Sequence, residues 1–551
     1  MSKFLILVIV LMPFVSPTGL SVNWINVSSD MLKTAWGVIG VFLTITLWVL
    51  KGYRQEKISI HKSKIYLPMM GFIAWCFITL LWVENGFEAT ITLVQFMSFA
   101  LVFVLVVNIF SRYEFIDSLL KALIISMAAV SIVGLLQYYL PNSFIQDFFT
   151  QVAKPGSTFG NKNAASHYIV MVLPISLIYI LLSKNRKSIA KYSFFTFIGF
   201  WFVIFTYARQ AYLAVTIELL FLVLFLVLDF YKNNKKSLIS KCKLRKDKFF
   251  SLILITLFLI IISNFYAEGV NNTQGSKFDR YSHISLEGGQ SRIPAWVNTF
   301  EMIKDNPLKG VGIGQWSTEY PRYYDRIKRD VIFNDNVRLA RLHNDFLEMM
   351  ANVGVVGYIF LLWIAFFVIK NIFIILISPI SENRLIVLSL SLGLSGFLIV
   401  AMFSFPVRLY LPAFLVMIFI GIIEKSQKKN PLKCLEININ KTYVYFMSTI
   451  FLFSSFFIYQ TFNWVIAEDN YYKSVMLENI GQNEIAVKYG LKSLDLNNKN
   501  PRYNSIVGSN LARLGREEES IQFYKQSINM APFNTIALLN LVLVYEKTND
   551  L

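Results

Sequence analysis

The sequence predicts an all-α polytopic membrane protein with about 12–13 transmembrane helices, one large extracytoplasmic loop and a C-terminal α-helical repeat domain. Three observations predict it. Of the 551 residues, 55% are hydrophobic and only 16% charged. Apolar runs long enough to cross a bilayer follow one another from the N-terminus, with basic residues collected in the short loops between them. Two stretches depart from this rule, residues 267–342 and 467–551, which are polar.

A hydrocarbon layer of roughly 30 Å needs about 20 helical residues. Runs of that kind lie near 3–20, 32–50, 65–83, 88–110, 115–140, 164–182, 193–207, 211–230, 249–266, 345–377, 385–403, 407–423 and 442–460, the first and seventh being short. Met1 to Pro17 also reads as a signal peptide, with Lys3 and a short apolar stretch. No small-x-small cleavage site follows, so its retention as the first span is expected. The chain divides into N-terminal spans (1–150), a membrane core with the polar loop (151–425), a basic loop with the last span (426–466) and the repeats (467–551).

The net charge of +18 does not imply nucleic-acid binding, because the cations occupy short loops instead of a soluble face. Lys51, Arg54, Lys57, Lys62 and Lys64 face one acid, Glu56. Lys184 to Lys191 holds four cations and no acid, Lys232 to Lys248 eight cations and one carboxylate, and Lys425 to Lys441 is again basic. All four loops fall on one side if the N-terminus is cytoplasmic and thirteen spans are counted, and the positive-inside rule makes that side the cytoplasm. The 267–342 loop and the tail are then outside. Cys76 lies in a span and Cys242 and Cys434 in basic loops, which implies no exported disulfides. His61, His167, His283 and His343 are far apart, with no His or Cys at ligand spacing, so no metal site and no cofactor is expected.

In the tail, Ala486, Gly490, Ser493 and Asn498 recur 34 residues later as Ser520, Tyr524, Ser527 and Pro532, and Val507, Gly508 and Leu511 return as Leu541, Val542 and Tyr545. This period, with small residues at helix contacts and a closing proline, resembles tetratricopeptide repeats. Two complete units and part of a third are expected. Such stacks offer concave surfaces to a protein partner, and pure scaffolding is the plainer reading.

Three polar residues near the outer face are candidates for chemistry. Arg209, in Thr206-Tyr207-Ala208-Arg209-Gln210-Ala211-Tyr212, sits between two apolar runs with almost no loop. It is either a snorkelling side chain or a planar fork of donors for phosphate. Arg292, after Gly288-Gly289-Gln290-Ser291, opens an amphipathic helix from Ile293, and helix starts favour anions. Asn306-Pro307-Leu308-Lys309-Gly310-Val311-Gly312-Ile313-Gly314 is too rich in glycine for a helix, and with no Gly-Lys-Ser/Thr it is no nucleotide-binding loop. His343, in Leu342-His343-Asn344-Asp345-Phe346-Leu347-Glu348, re-enters lipid as hydrophobicity resumes. An imidazole there is commonly just an amphipathic interface residue, but it can also deprotonate a hydroxyl near neutral pH.

Taken in order, Gly156-Ser157-Thr158-Phe159-Gly160-Asn161-Lys162-Asn163, Arg209, Ser291-Arg292 with Trp296, Pro307 to Gly312, and His343-Asn344 leading into Gly354-Val355-Val356-Gly357 form a pattern. That pattern resembles the O-antigen ligase and polymerase superfamily of bacterial envelopes, which includes protein O-oligosaccharyltransferases, over roughly residues 155–425. The resemblance implies transfer of a glycan from undecaprenyl pyrophosphate to an acceptor hydroxyl at the periplasmic face of the inner membrane, without metal or nucleotide. It implies that Arg209 and Arg292 hold the pyrophosphate and that His343 activates the acceptor, with inversion at the anomeric carbon. Lys162 and Asn163 match its loop motif more loosely. Arg280, Arg338, Arg341 and Trp296 are further candidates for phosphate or glycan contact, as are Tyr320, Tyr323 and Tyr324 for sugar stacking, while Arg322 to Arg329 reads as a solvated face. The acceptor is lipid A core or protein in a ligase or oligosaccharyltransferase, and another lipid-linked repeat in a polymerase. Small-anion transport is a different class, and predicts deep ionisable residues beyond Glu218 and an inverted repeat of broken helices.

Overall fold

The computed structural model describes residues 1–16, 27–110, 113–140, 149, 155–233, 292–324, 326, 341–378, 382–427, 433–438 and 441–548. The expected span at 249–266 lies outside the described residues, as do Arg280, Arg338, Cys242, His283 and most of the 267–342 loop. Described helices are α1 (Ser2–Leu11), α2 (Ser29–Arg54), α3 (Tyr66–Thr79), α4 (Gly86–Ile109), α5 (Tyr113–Tyr139), α6 (Lys162–Leu182), α7 (Arg186–Thr206), α8 (Arg209–Asn233), α9 (Ile293–Asp305), α10 (Asp345–Ile377), α11 (Glu382–Phe403), α12 (Tyr410–Lys425), α13 (Lys441–Asn479), α14 (Asn483–Leu496), α15 (Pro501–Arg513), α16 (Glu517–Met530) and α17 (Thr535–Thr548). Among the described residues two five-residue strands, β1 (Lys57–His61) and β2 (Cys434–Asn438), are the exceptions in an all-α polytopic membrane fold. Among the described residues nine helices, α2, α4 to α8, α10, α11 and α13, are long and apolar enough to cross a membrane.

Each of the other twelve expected spans falls on a helix, with three boundary corrections. The first helix ends at Leu11, where Met12-Pro13-Phe14 tightens into a 3-10 turn, because a proline ring cannot continue the regular hydrogen-bond ladder. The seventh begins at Arg186 instead of near 193, since Asn185 Oδ1 accepts the Ser188 N–H at 2.7 Å and caps a start made of polar residues. The last span does not stop before the tail. With no Gly or Pro between Thr442 and Asn479, α13 continues unbroken for 39 residues into the first repeat.

Helix α6 is the centre of the bundle. Its side chains from Ala164 to Leu181 are all buried, and it packs against α5, α7, α8 and α11. At one end of the bundle β1 and β2 pair antiparallel, with His61 opposite Cys434, joining two of the basic loops. Lys425 Nζ lies 2.8 Å from His61 Nε2 at this end. At the opposite end, the 292–324 segment sits on the helix ends, held for instance by Gln315, whose side chain exchanges hydrogen bonds with the main chain of Asn85. Its own small core is built from Ala295, Met302, Trp316, Tyr320, Tyr323, Leu342 and Ala351.

Helix α10 contains a break that the 292–324 segment fills. Gly354 adopts φ +63° and ψ −174° inside the helix, which suits glycine alone. The glycine-rich segment docks there through main chain: Val311 N–H donates to Ala351 O at 2.9 Å, Gly312 N–H to Asn352 O at 2.8 Å, and Val355 N–H to Pro307 O at 2.8 Å. Groups that the break would orphan are thus paired. A Cβ on Gly354 would lie 2.3 Å from Leu308 O, and one on Gly310 would lie 2.4 Å from Asn352 O.

The tail forms helix pairs. Helices α14 and α16 start 34 positions apart, as do α15 and α17. Gly481 and Gly515, at φ +76° and +75°, make equivalent turns, and Ser474 Oγ to Ala486 O and Ser520 Oγ to Gly508 O, each 2.8 Å, tie the two pairs alike. The stack meets the membrane core where Phe87 approaches Tyr503, ring centroids 6.3 Å apart, and where Arg322 lies 4.5 Å from the Phe533 ring.

Candidate active site

Lys162, Arg209, Arg292 and His343 share one local property. Each stands at the N-terminal start of a helix, of α6, α8, α9 and α10 respectively. Such starts present unpaired N–H groups and the positive end of the helix dipole. Each start has its own cause in sequence. Gly160 at φ +68° turns the chain, and Asn161 Oδ1 accepts the Asn163 N–H at 2.9 Å to open α6. Thr206 Oγ1 accepts the Ala208 N–H at 3.3 Å just before α8. Pro294 occupies the first turn of α9, where no N–H is needed. Asn344 Oδ1 accepts the Leu347 N–H at 3.1 Å to cap α10.

The structure brings these starts together. Gln210 Nε2 donates to Asn163 Oδ1 at 3.3 Å, joining the starts of α6 and α8, and Lys162 Nζ lies 5.8 Å from the centroid of the Tyr207 ring. The Arg292 guanidinium donates to Phe403 O at 2.6 Å, at the end of α11. Burial, and then the nearby charge of Arg209, hold Arg292 below its ordinary value. His343 is held well below the imidazole range, at about 4, first by burial and then by the charge of Arg292, with Glu348 opposing. It is a neutral base at neutral pH. Its ring meets Phe405 edge-on at 4.9 Å, and its Nδ1 is buried with no hydrogen-bond partner among the described residues.

The backbone at His343 is unusual. Its φ is +58°, a left-handed conformation that costs a non-glycine residue energy unless its surroundings enforce it. Here they do. Trp296 Nε1 donates to Leu342 O at 3.2 Å, and the Leu342 N–H donates to Glu348 Oε2 at 3.1 Å. Glu348 Oε1 accepts from Arg408 Nε at 3.0 Å in a buried ion pair, and Asp345 Oδ2 accepts the Val407 N–H at 2.7 Å. Trp296 thus braces the chain beside His343 in addition to any ligand contact.

Arg341 belongs to different surroundings. Its electrostatic neighbours are Arg408, Glu348, Glu88 and Asp345, and it lines a cavity of about 770 Å³ between the helical pairs and the membrane core, with Asp30, Glu88, Arg408 and Arg502. Tyr320 and Tyr323 are buried in the core of the 292–324 segment, with Tyr320 stacked on Trp316 at 4.7 Å, so they are not open to sugar stacking. Arg322 and Arg326 are exposed, as a solvated face would have them, and Arg322 pairs there with Glu84 at 2.9 Å and Glu319 at 3.2 Å. Burial, and then the adjacent Glu84 carboxylate, raise Glu319 to about 7.

Two residues beside the site had only faint signals in the sequence. Lys33, inside an apolar run, is 1% exposed and donates to Thr158 O and Val15 O at 2.8 Å, pinning the loop ahead of α6. His167, one turn beyond Asn163, is 2% exposed and close enough to His343 for their charges to interact. In both cases the signal is an ionisable residue within a span, which marks a position without naming its partner. Among the described residues no three His, Cys, Asp or Glu side chains gather to hold a metal ion.

Residues 194–362 match the family model described as O-antigen ligase. The matched stretch runs from within α7 into α10 and contains Arg209, Arg292 and His343. It supports a membrane glycan transferase of the ligase or polymerase kind, which takes a lipid-linked glycan donor and an acceptor in general terms. Among curated proteins, none matches the chain.

Proposed function

We propose that the protein transfers an oligo- or polysaccharide from undecaprenyl pyrophosphate to an acceptor hydroxyl, as an O-antigen ligase or protein O-oligosaccharyltransferase does. The observation that carries this reading is the meeting of Arg209, Arg292 and His343 at three helix starts. The two guanidiniums and the helix N-termini hold the diphosphate and stabilise the charge that builds on it as the bond from sugar C1 to oxygen breaks. Arg292 is oriented by Phe403 O, which leaves further N–H groups for phosphate oxygens. His343 Nε2 takes the proton of the acceptor hydroxyl, the acceptor oxygen bonds to C1 from the opposite face, and undecaprenyl pyrophosphate leaves with inverted configuration at the sugar. No metal takes part.

The site faces the periplasm and the membrane is the inner one, a reading supported by the charge of the basic loops, two of which are joined through β1 and β2 at the other end of the bundle. We read the tail as tetratricopeptide repeats that recruit a protein partner or acceptor, and the cavity beneath them as its place of entry. Transfer is favoured over anion transport because the break in α10 is filled by main chain of the loop instead of lining a passage. The test is incubation of the purified protein with undecaprenyl-pyrophosphate glycan and either lipid A core or a Ser-rich peptide. Wild type should transfer and His343→Ala should not. Equal transfer by both would sink the mechanism, and transfer to further lipid-linked repeats would make the protein a polymerase.

A further inference from the structure

We propose that His167 is a positioning residue for His343: through one bridging water it accepts the hydrogen bond that His343 Nδ1–H donates, and thereby fixes the tautomer whose Nε2 faces the acceptor. This rests on the reading of His343 as the base. Among the described residues both ring nitrogens of His167 are buried without a hydrogen-bond partner, and so is Nδ1 of His343. Buried polar atoms without partners are rare, and here three belong to two rings close enough to interact electrostatically.

The location of His167 follows from α6 as well. Residues four apart lie on one face of a helix, so His167 is one turn below Asn163, whose amide meets Gln210 beside Arg209. The neighbouring Tyr168 turns away toward α5, where its hydroxyl donates to Ser126 Oγ at 3.0 Å.

A neutral imidazole carries one N–H and one lone pair. When His343 donates from Nδ1 to His167, its remaining lone pair lies on Nε2, which is not among its buried atoms. That is the tautomer a general base needs. After the hydroxyl proton arrives on Nε2, the same bond from Nδ1–H steadies an imidazolium that the charge of Arg292 opposes and that of Glu348 favours, with Phe405 against the ring and Arg209 acting on Arg292. No proton passes to His167; the one taken from the acceptor leaves His343 for solvent after transfer.

The chain has only four histidines, so long-range proton–nitrogen spectra of the full-length, ¹⁵N-histidine-labelled protein in lipid nanodiscs can be assigned with His343→Ala and His167→Gln. At pH 7.5 His343 should carry its proton on Nδ1. His167→Leu should produce the other tautomer or a mixture, whereas His167→Gln, whose amide oxygen can accept, should preserve it. In the transfer assay His167→Leu should lower kcat by about 10- to 100-fold with donor KM unchanged, and His167→Gln should recover most of the loss. Protonation on Nε2 in wild type overturns the proposal, as does an unchanged tautomer or unchanged kcat in His167→Leu. Should His167→Leu fail to fold, the wild-type and His167→Gln spectra decide. A wild-type protein with the expected tautomer but no transfer would count against the enzymatic reading and leave the histidine pair standing.

Discussion

As the proposed base, His343 should vary in strength with the charge of its neighbour Arg292. Burial and the Arg292 charge hold it near 4. A diphosphate on Arg292 offsets that charge, so the imidazole gains proton affinity when the donor has bound. The ¹⁵N titration midpoint of His343 should therefore lie well below the ordinary imidazole value, and both Arg292→Gln and added undecaprenyl pyrophosphate should raise it. A midpoint indifferent to both would show that Arg292 does not tune the base. A second titration concerns stability. Glu319 has a folded value of about 7 against an ordinary 4.5, so the folded state holds more protons between these limits and loses stability as pH rises through them. The melting temperature should fall between pH 5 and 8, and Glu319→Gln should flatten that fall; parallel curves would remove Glu319 as its source. At this scale Arg209 and His343 could be picked out in the sequence because they interrupt or border apolar runs, and Arg292 because it opens an amphipathic helix after a glycine pair. Lys33 and Arg408 could not be given roles, since their partners are main-chain oxygens and a carboxylate on another helix, and neither could His167, whose electrostatic neighbour His343 is far away in the sequence.

The decisive element is α10. Its start, its break and the segment plugged into the break together hold His343. Gly354→Ala forces a Cβ to within 2.3 Å of Leu308 O at a left-handed backbone position. The overpacking alone should cost about 1–3 kcal/mol, read as a lower melting temperature in detergent. Transfer should fall further than stability accounts for, because the break positions the turns that carry His343. A variant as stable and active as wild type would mean the plug is dispensable. The sequence marks Asn306 to Gly314 as non-helical through its glycines, but the docking is invisible in it. Main-chain hydrogen bonds leave no periodic trace in side chains, and a glycine within an apolar run also reads as plain helix–helix packing.

For the whole molecule, the order of spans and the 34-residue spacing of the tail were legible because hydrophobic runs, basic loops and recurring small residues are signals of many residues each. The continuity of α13 from membrane to repeat was not, because polarity changes there while helix propensity does not. The orientation is open to a direct test. In intact cells a membrane-impermeant maleimide should label Ser505→Cys, and Cys434 should react only after permeabilisation; the reverse pattern would invert the topology. The break in α10 also gives the protein's birth an arrow. Residues 307–312 leave the ribosome before Gly354 does, so they are out ahead of the helix they must fit. A helix broken in lipid without them would expose Ala351 O, Asn352 O and the Val355 N–H, each costing several kcal/mol. We predict that α10 enters the membrane as a straight rod and bends only on meeting residues 307–312. Replacing residues 307–312 by a Gly/Ser linker should then leave insertion intact, as judged by maleimide labelling on both sides, while trapping a protease-sensitive form. Loss of insertion would mean that the bend comes first.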